Sequence, residues 1–139
     1  MKGVFQRKLN SLDDVMRFAE RFSKENRLPR MYLPHFQLVL EELFINSVKY
    51  NPDNENPIQI EMNRDDFIVR IEYTDFQVPR FDITQAPDYR IKENLKRRRP
   101  GGMGIYLVKK TMDDITYRYK DGNSCITLIK YLEKKNVQH

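Results

Sequence analysis

Three glycines in four positions, Gly101-Gly102-Met103-Gly104, stand at the start of an apolar helical stretch, directly behind the cationic run Lys96-Arg97-Arg98-Arg99. This corner constrains the chain more than any other segment. Glycine lets backbone N–H groups approach an anion with no Cβ in the way. A helix that begins there aims its unpaired N–H groups and the positive end of its dipole at the same point. The arginines add fixed positive charge of a shape suited to phosphate. A nucleotide polyphosphate is the simplest ligand for such a corner, although a glycine cluster also serves as a plain turn.

The remaining segments are short and periodic. Residues 3–9 read as an alternating strand, and Ser11 as the cap of a helix carrying Leu12, Val15, Met16, Ala19 and Phe22 at helical spacing. Leu28-Pro29 is expected to end that helix. Pro34 suits the first turn of a second one, whose apolar stripe is Phe36, Val39, Leu40, Leu43, Phe44 and Val48, and which stops at Asn51-Pro52. Residues 58–62 and 67–73 alternate on either side of Asn63-Arg64-Asp65-Asp66, which predicts an antiparallel hairpin. Residues 75–100 hold three prolines and many charges without a long apolar period. They predict an extended loop with a short helix near 92–96, and a loop of that length in a compact domain is usually a functional lid. Met103, Ile105, Leu107, Val108 and Met112 mark a last core helix. Residues 115–119 and 125–132 then pair across Asp121-Gly122-Asn123.

Helices first, then a strand pair, a lid, a helix and a closing strand pair predict an α/β (α+β) two-layer sandwich. Its sheet is expected to be mostly antiparallel and mixed, with the helices packed on one face. At 139 residues, 1–139 is expected to be one domain with a lid at about 83–101. The apolar share of 40%, with eight Phe and eight Tyr, supports a folded chain. The formal charge of +5 favours anionic partners. Much of it lies in Lys96–Arg99 and Lys134-Lys135, and the aromatics are not interleaved with basic residues, so direct nucleic-acid binding is not expected. No stretch reaches the roughly 18 apolar residues of a membrane helix and no apolar leader follows Met1, so a cytoplasmic protein without a membrane partner is expected. Cys125 is the one cysteine, which excludes an internal disulfide and a cysteine-based zinc site. Its strand context predicts a buried structural thiol. His35 and His139 are too few for a metal cluster.

On the second helix, Glu42 and Asn46 lie four apart, with Lys49 and Tyr50 one turn later, so they share a face bordering the apolar stripe. A carboxamide oxygen is a hard ligand suited to Mg²⁺, and a carboxylate beside it can orient or deprotonate a hydroxyl. The same spacing equally describes a solvated face with a Glu–Lys pair.

Read together, the two regions resemble a known family. Glu42-Leu-Phe-Ile-Asn46-Ser-Val-Lys49-Tyr50 is similar to the N box of the GHKL superfamily, which includes gyrase and the histidine kinases. The stretch Arg99-Pro-Gly-Gly-Met-Gly-Ile-Tyr-Leu-Val-Lys-Lys-Thr-Met-Asp-Asp114 resembles the second glycine box of one branch, the anti-sigma factor serine kinases, and residues 115–130 fit the closing hairpin of that branch. The resemblance covers about residues 5–132. It implies a Bergerat-type ATP-binding fold, ATP and Mg²⁺ as cofactors, and an ATP-dependent protein serine/threonine kinase. Glu42 would be the catalytic base or hydroxyl-orienting carboxylate and Asn46 the metal ligand. Lys49, Arg99, Gly101, Gly102, Met103 and Gly104 would lie at the phosphates. The implied partners are an anti-anti-sigma protein, which receives the phosphoryl group on a serine, and a sigma factor held from RNA polymerase; a homodimer is also implied.

One motif departs from the pattern. The first glycine box should read Asp-x-Gly followed by Phe-Asp, its Asp bonding the adenine amino group. Here the stretch is Tyr73-Thr-Asp75-Phe-Gln-Val-Pro-Arg-Phe-Asp82. Asp75 is present, the glycine is not, and Asp75 stands one residue further from Phe81 than the pattern has it. Either the loop bulges and Asp75 still reads adenine, or the pocket has lost affinity for ATP. The alternative function is therefore a non-catalytic partner-switching module of the same fold.

Overall fold

The computed structural model describes residues 1–85 and 102–133. The expected helix near 92–96, most of the expected lid, and the cationic run Lys96–Arg99 lie outside the described residues, as do Gly101 and Lys134-Lys135. Among the described residues five strands form one sheet: β1 (Lys2–Phe5), β2 (Ile58–Asp65), β3 (Ile68–Asp75), β4 (Asp114–Lys120) and β5 (Asn123–Tyr131). Their order is β1-β2-β3-β5-β4, and every described pairing is antiparallel. Among the described residues three helices accompany it: α1 (Leu12–Glu25), α2 (Leu33–Tyr50) and α3 (Gly102–Thr111).

Strand alternation builds the two layers. Ile58, Ile60 and Met62 of β2, Val69, Ile71 and Tyr73 of β3, and Ile126 and Leu128 of β5 are buried, while the residues between them are half-buried or exposed. They meet Val15, Phe18, Ala19 and Phe22 of α1, Phe36, Val39, Leu40, Leu43 and Phe44 of α2, and Ile105 and Val108 of α3 in one core. Full burial of each large side chain contributes about 1.5–3 kcal/mol before entropy is charged against it.

Several local expectations change. The first strand ends at Phe5, because Lys8 N–H turns back to Gln6 O (2.8 Å) and a 3-10 turn over Leu9–Ser11 follows. Ser11 has helical backbone angles, φ −82° and ψ −7°, and makes no side-chain cap. Its own N–H bonds Lys8 O at 2.9 Å, so the chain enters α1 through a backbone turn instead. Helix α1 stops at Glu25, short of Leu28-Pro29: Asn26 Nδ2 donates to Phe22 O at 2.9 Å, and Arg27 takes a left-handed φ of 52°. The β2–β3 turn is tighter than a four-residue loop, since Asp65 pairs with Ile68 and Asp66 takes φ 53°. Cys125 is half-buried, not buried. Ser124 and Ile126 point into the core, so Cys125 faces the other side of the sheet, where Thr74 Oγ1 donates to its sulfur at 3.7 Å.

Helix α2 crosses β3 and is tied to it by polar groups as well as hydrocarbon. Tyr73 Oη donates to Leu43 O at 3.0 Å, leaving Ser47 Oγ, 2.7 Å away, to donate to the phenol. Burial pushes the Tyr73 phenol far above the usual tyrosine range. Tyr73→Phe would leave the buried Ser47 hydroxyl without its acceptor and is expected to cost about 1–3 kcal/mol in chemical denaturation. The double change Tyr73→Phe/Ser47→Ala is expected to cost less than the sum of the two single changes, because the second removes the orphaned group.

Candidate functional site

The face of α2 that carries Glu42, Asn46 and Lys49 runs from half-buried to exposed: Glu42 and Asn46 are partly covered and Lys49 is open to solvent. What covers Glu42 is the first turn of α3. A Cβ placed on Gly104 would overlap a Glu42 carboxylate oxygen, and would lie 3.1 Å from Cδ and 3.5 Å from Cβ of the same side chain. With Glu42 in this position, residue 104 has no room for a Cβ unless the carboxylate swings aside. Gly102 and Met103 occupy the turn before it, at the end of α3 where N–H groups lack helical partners. The glycine corner and the carboxylate of α2 therefore meet.

Burial pushes the Glu42 carboxyl above its ordinary value; the neighbouring charge of Glu41 adds to the rise and Lys49 opposes it. A carboxyl raised in this way is a stronger proton acceptor than free glutamate. Asn46 lies one turn further along the same face. Among the described residues no group of three or more His, Cys, Asp or Glu could hold a metal ion. A metal here would be bound by one amide oxygen together with phosphate oxygens and waters, which is an ordinary Mg²⁺ arrangement.

Asp75 ends β3 on its inward face and is buried. Its partner is Arg7, a residue that sequence reasoning missed. Arg7 Nη2 donates to Asp75 Oδ1, Nη1 donates to Ser47 O at 3.1 Å, and Nε donates to Asn56 O at 3.1 Å. The carboxylate is thus linked through Arg7 to the C-terminal half of α2 at Ser47. No local pattern reveals this pair, since 68 residues separate Arg7 from Asp75 and 40 separate it from Ser47.

Beyond Asp75, Gln77 stands where an Asp-x-Gly motif has its glycine, and it takes a left-handed φ of 54°, a region glycine enters without penalty. Side chains hold it there. Asn54 Nδ2 donates to Phe76 O (2.8 Å) and Gln77 O (2.9 Å). Gln77 N donates to Asn123 Oδ1 at 3.1 Å, and Gln77 Nε2 reaches Asp121 O and Asn123 Oδ1, each at 3.2 Å. Val78 is buried, its N–H bonded to Gly122 O at 2.8 Å and its carbonyl to Tyr119 Oη at 2.6 Å. The segment after Asp75 is pinned to the β4–β5 turn, and Gln77 holds a left-handed turn without being glycine. Of the remaining candidates, Arg99 and Gly101 lie outside the described residues.

The sequence profile of the histidine kinase-like ATPase domain matches residues 5–130. The chain belongs to the histidine kinase-like ATPase family. Family membership implies ATP binding. Among similar proteins, the serine-protein kinase RsbW of Listeria innocua serovar 6a is 28% identical over 108 residues, covering 73% of this chain and 68% of that one. RsbW of Staphylococcus epidermidis is 37% identical over 51 residues, which is 37% of this chain and 31% of the relative. The fold is similar to that in the crystal structure of the SiaB–SiaC complex from Pseudomonas aeruginosa, with a TM-score of 0.68, 10% identity, and coverage of 95% of this chain and 88% of that one. Among the described residues no helix is long and apolar enough to cross a membrane.

Two outcomes follow for this histidine kinase-like ATPase domain. With its carboxyl raised in the folded state, Glu42 binds more proton there than in the unfolded chain, so its contribution is intact at low pH and is lost as pH rises through the folded value. Glu42→Gln is therefore expected to raise the melting temperature at pH 7 relative to wild type and to leave it unchanged at about pH 4. Gln77→Ala keeps the left-handed backbone and removes the side-chain bonds. It is expected to cost about 1–2 kcal/mol in denaturant titration, whereas Gln77→Gly, relieved of the backbone penalty, should cost less.

Proposed function

We propose that this chain is an ATP-binding, Mg²⁺-dependent protein serine kinase of the anti-sigma type. In this reading it phosphorylates an anti-anti-sigma partner and sequesters a sigma factor. The observation that carries it is the Glu42 carboxyl packed against Gly104 in the first turn of α3, with Asn46 one turn along. A glycine at the close contact with Glu42, a hard oxygen donor and a carboxyl of raised proton affinity fit a triphosphate with Mg²⁺. Asn46 would hold the metal, and Gly101, Gly102, Met103 and Gly104 would offer backbone N–H groups to the phosphates, with Lys49 and Arg99 alongside. Mg²⁺ bound there would draw negative charge off the transferring phosphoryl group. Glu42 would align the incoming serine hydroxyl and take its proton. Asp75 would accept a hydrogen bond from the adenine amino group. Residues 1–139 would form one ATP-binding domain with a lid at about 83–101, working in the cytoplasm as a homodimer.

The relatives named RsbW are serine-protein kinases, and the structural neighbour was solved with a protein partner, both of which support a protein substrate. A second reading keeps the partners and removes the catalysis. It is favoured by Gln77 in the place of glycine.

Calorimetry with ATP and Mg²⁺ separates the two. Wild type is expected to bind, and Asn46→Ala to weaken binding at least about tenfold, with a smaller loss when Mg²⁺ is omitted for both proteins. Labelled phosphate is expected on a serine of the anti-anti-sigma partner, with transfer lowered by about two orders of magnitude or more in Glu42→Ala. Wild type that binds no ATP at millimolar concentration leaves only the module, and undiminished transfer by Glu42→Ala removes that residue from the chemistry.

A further inference from the structure

We propose that Arg7 is the positioning residue for recognition of the base, holding Asp75 so that Oδ2 meets the exocyclic amino group of a 6-aminopurine. This deepens the nucleotide-binding reading above and rests on it.

Arg7 is held on three sides. Its Nε, Nη1 and Nη2 each donate to an acceptor from a different part of the fold: Asn56 O in the α2–β2 connection, Ser47 O on α2 and Asp75 Oδ1 at the end of β3. A guanidinium is a rigid planar fork, so three acceptors fix both its position and its rotation. The Arg7 side chain is 2% exposed and that of Asp75 9%. Among the described residues Arg7 is the hydrogen-bonding partner of the carboxylate, and it takes one oxygen.

The remaining oxygen is an acceptor only. It suits a donor such as the amino group of adenine and repels the carbonyl that guanine or hypoxanthine carries at the same place. Stability alone is a weak reason to bury such a pair, because apolar residues of the same volume often serve as well. An oriented acceptor beside the C-terminal half of α2 is something apolar residues could not provide. The arrangement also answers the altered first glycine box, since Asp75 is aimed by a side chain reaching it from across the fold as well as by its own turn.

The experiment compares binding of ATP and of purine riboside triphosphate, which lacks the 6-amino group, each with Mg²⁺, by calorimetry. Wild type is expected to prefer ATP by about tenfold or more. In Arg7→Gln that preference should fall below about threefold, through weaker ATP binding, while the affinity for purine riboside triphosphate changes by less than about twofold. Arg7→Lys, which keeps the charge without the fork, should lie between and serves alone if Arg7→Gln does not fold. If an Arg7 variant weakens both nucleotides equally, so that the preference survives, Arg7 is a structural clamp and the proposal falls while nucleotide binding stands. Equal affinity of wild type for the two nucleotides overturns it as well. Wild type that binds neither removes the nucleotide reading itself, and this inference with it.

Discussion

The placement of α2 over the central strand β3 is the constraint on which everything else in this fold depends, and a polar seam sets it. Hydrocarbon alone would leave the helix some freedom. Packing of Phe36, Leu40, Leu43 and Phe44 is large in energy and tolerant of small slides, because dispersion and burial are not directional. The hydrogen bonds are not tolerant: they weaken steeply with distance and angle. Tyr73 reaching Leu43 O and Ser47 Oγ fixes α2 along its axis and about it. Arg7 fixes the same helix again through Ser47 O. With α2 so held, Glu42 and Asn46 stand about two turns and one turn before the helix ends, and α3 has a fixed partner to meet.

That meeting carries a cost. A half-buried carboxyl is worse solvated than a free one, and the raised proton affinity of Glu42 expresses that loss. Glu41 beside it makes matters worse, and Lys49 gives back only part. A stability-optimised surface would not set a glutamate under the first turn of a neighbouring helix. Groups whose titration is displaced by burial beside a glycine-rich helix start are where function is to be sought. The carboxyl would also feel the positive end of α3, which favours its anionic form and makes the position tolerable.

How much of this was legible in the sequence depended on distance along the chain. The stripe of Phe36 to Val48 and the Asp121-Gly122-Asn123 turn are local patterns, and both appear where the periodicity put them. The encounter of Gly104 with Glu42 followed from reading two motifs as one. Ser11 stands at the start of α1 as expected, but its helical backbone angles are not the extended ones from which a side chain caps. Cys125 misled because an apolar neighbourhood does not say which face of a strand a residue takes; the register did. Arg7 was out of reach. Just past the first strand it reads as another surface cation, and its partners lie tens of residues away in α2, the following turn and β3.

The two glycine positions show why one substitution is tolerated and the other position keeps glycine. At residue 77 the requirement is a backbone angle. A left-handed φ costs a side-chain-bearing residue about 1–2 kcal/mol, an amount that bonds to Asp121 O and Asn123 Oδ1 can offset. Glutamine at that position also has open space, with the β4–β5 turn in reach of its amide. At residue 104 the requirement is volume. The Glu42 carboxylate already fills the place a Cβ would take, and no hydrogen bond compensates for two atoms in one place. A methyl group there would turn Glu42 away from α3 and undo the contact from which the nucleotide reading starts. Residue 77 carries a side chain and keeps a left-handed turn; residue 104 could carry one only if the Glu42 carboxylate moved aside.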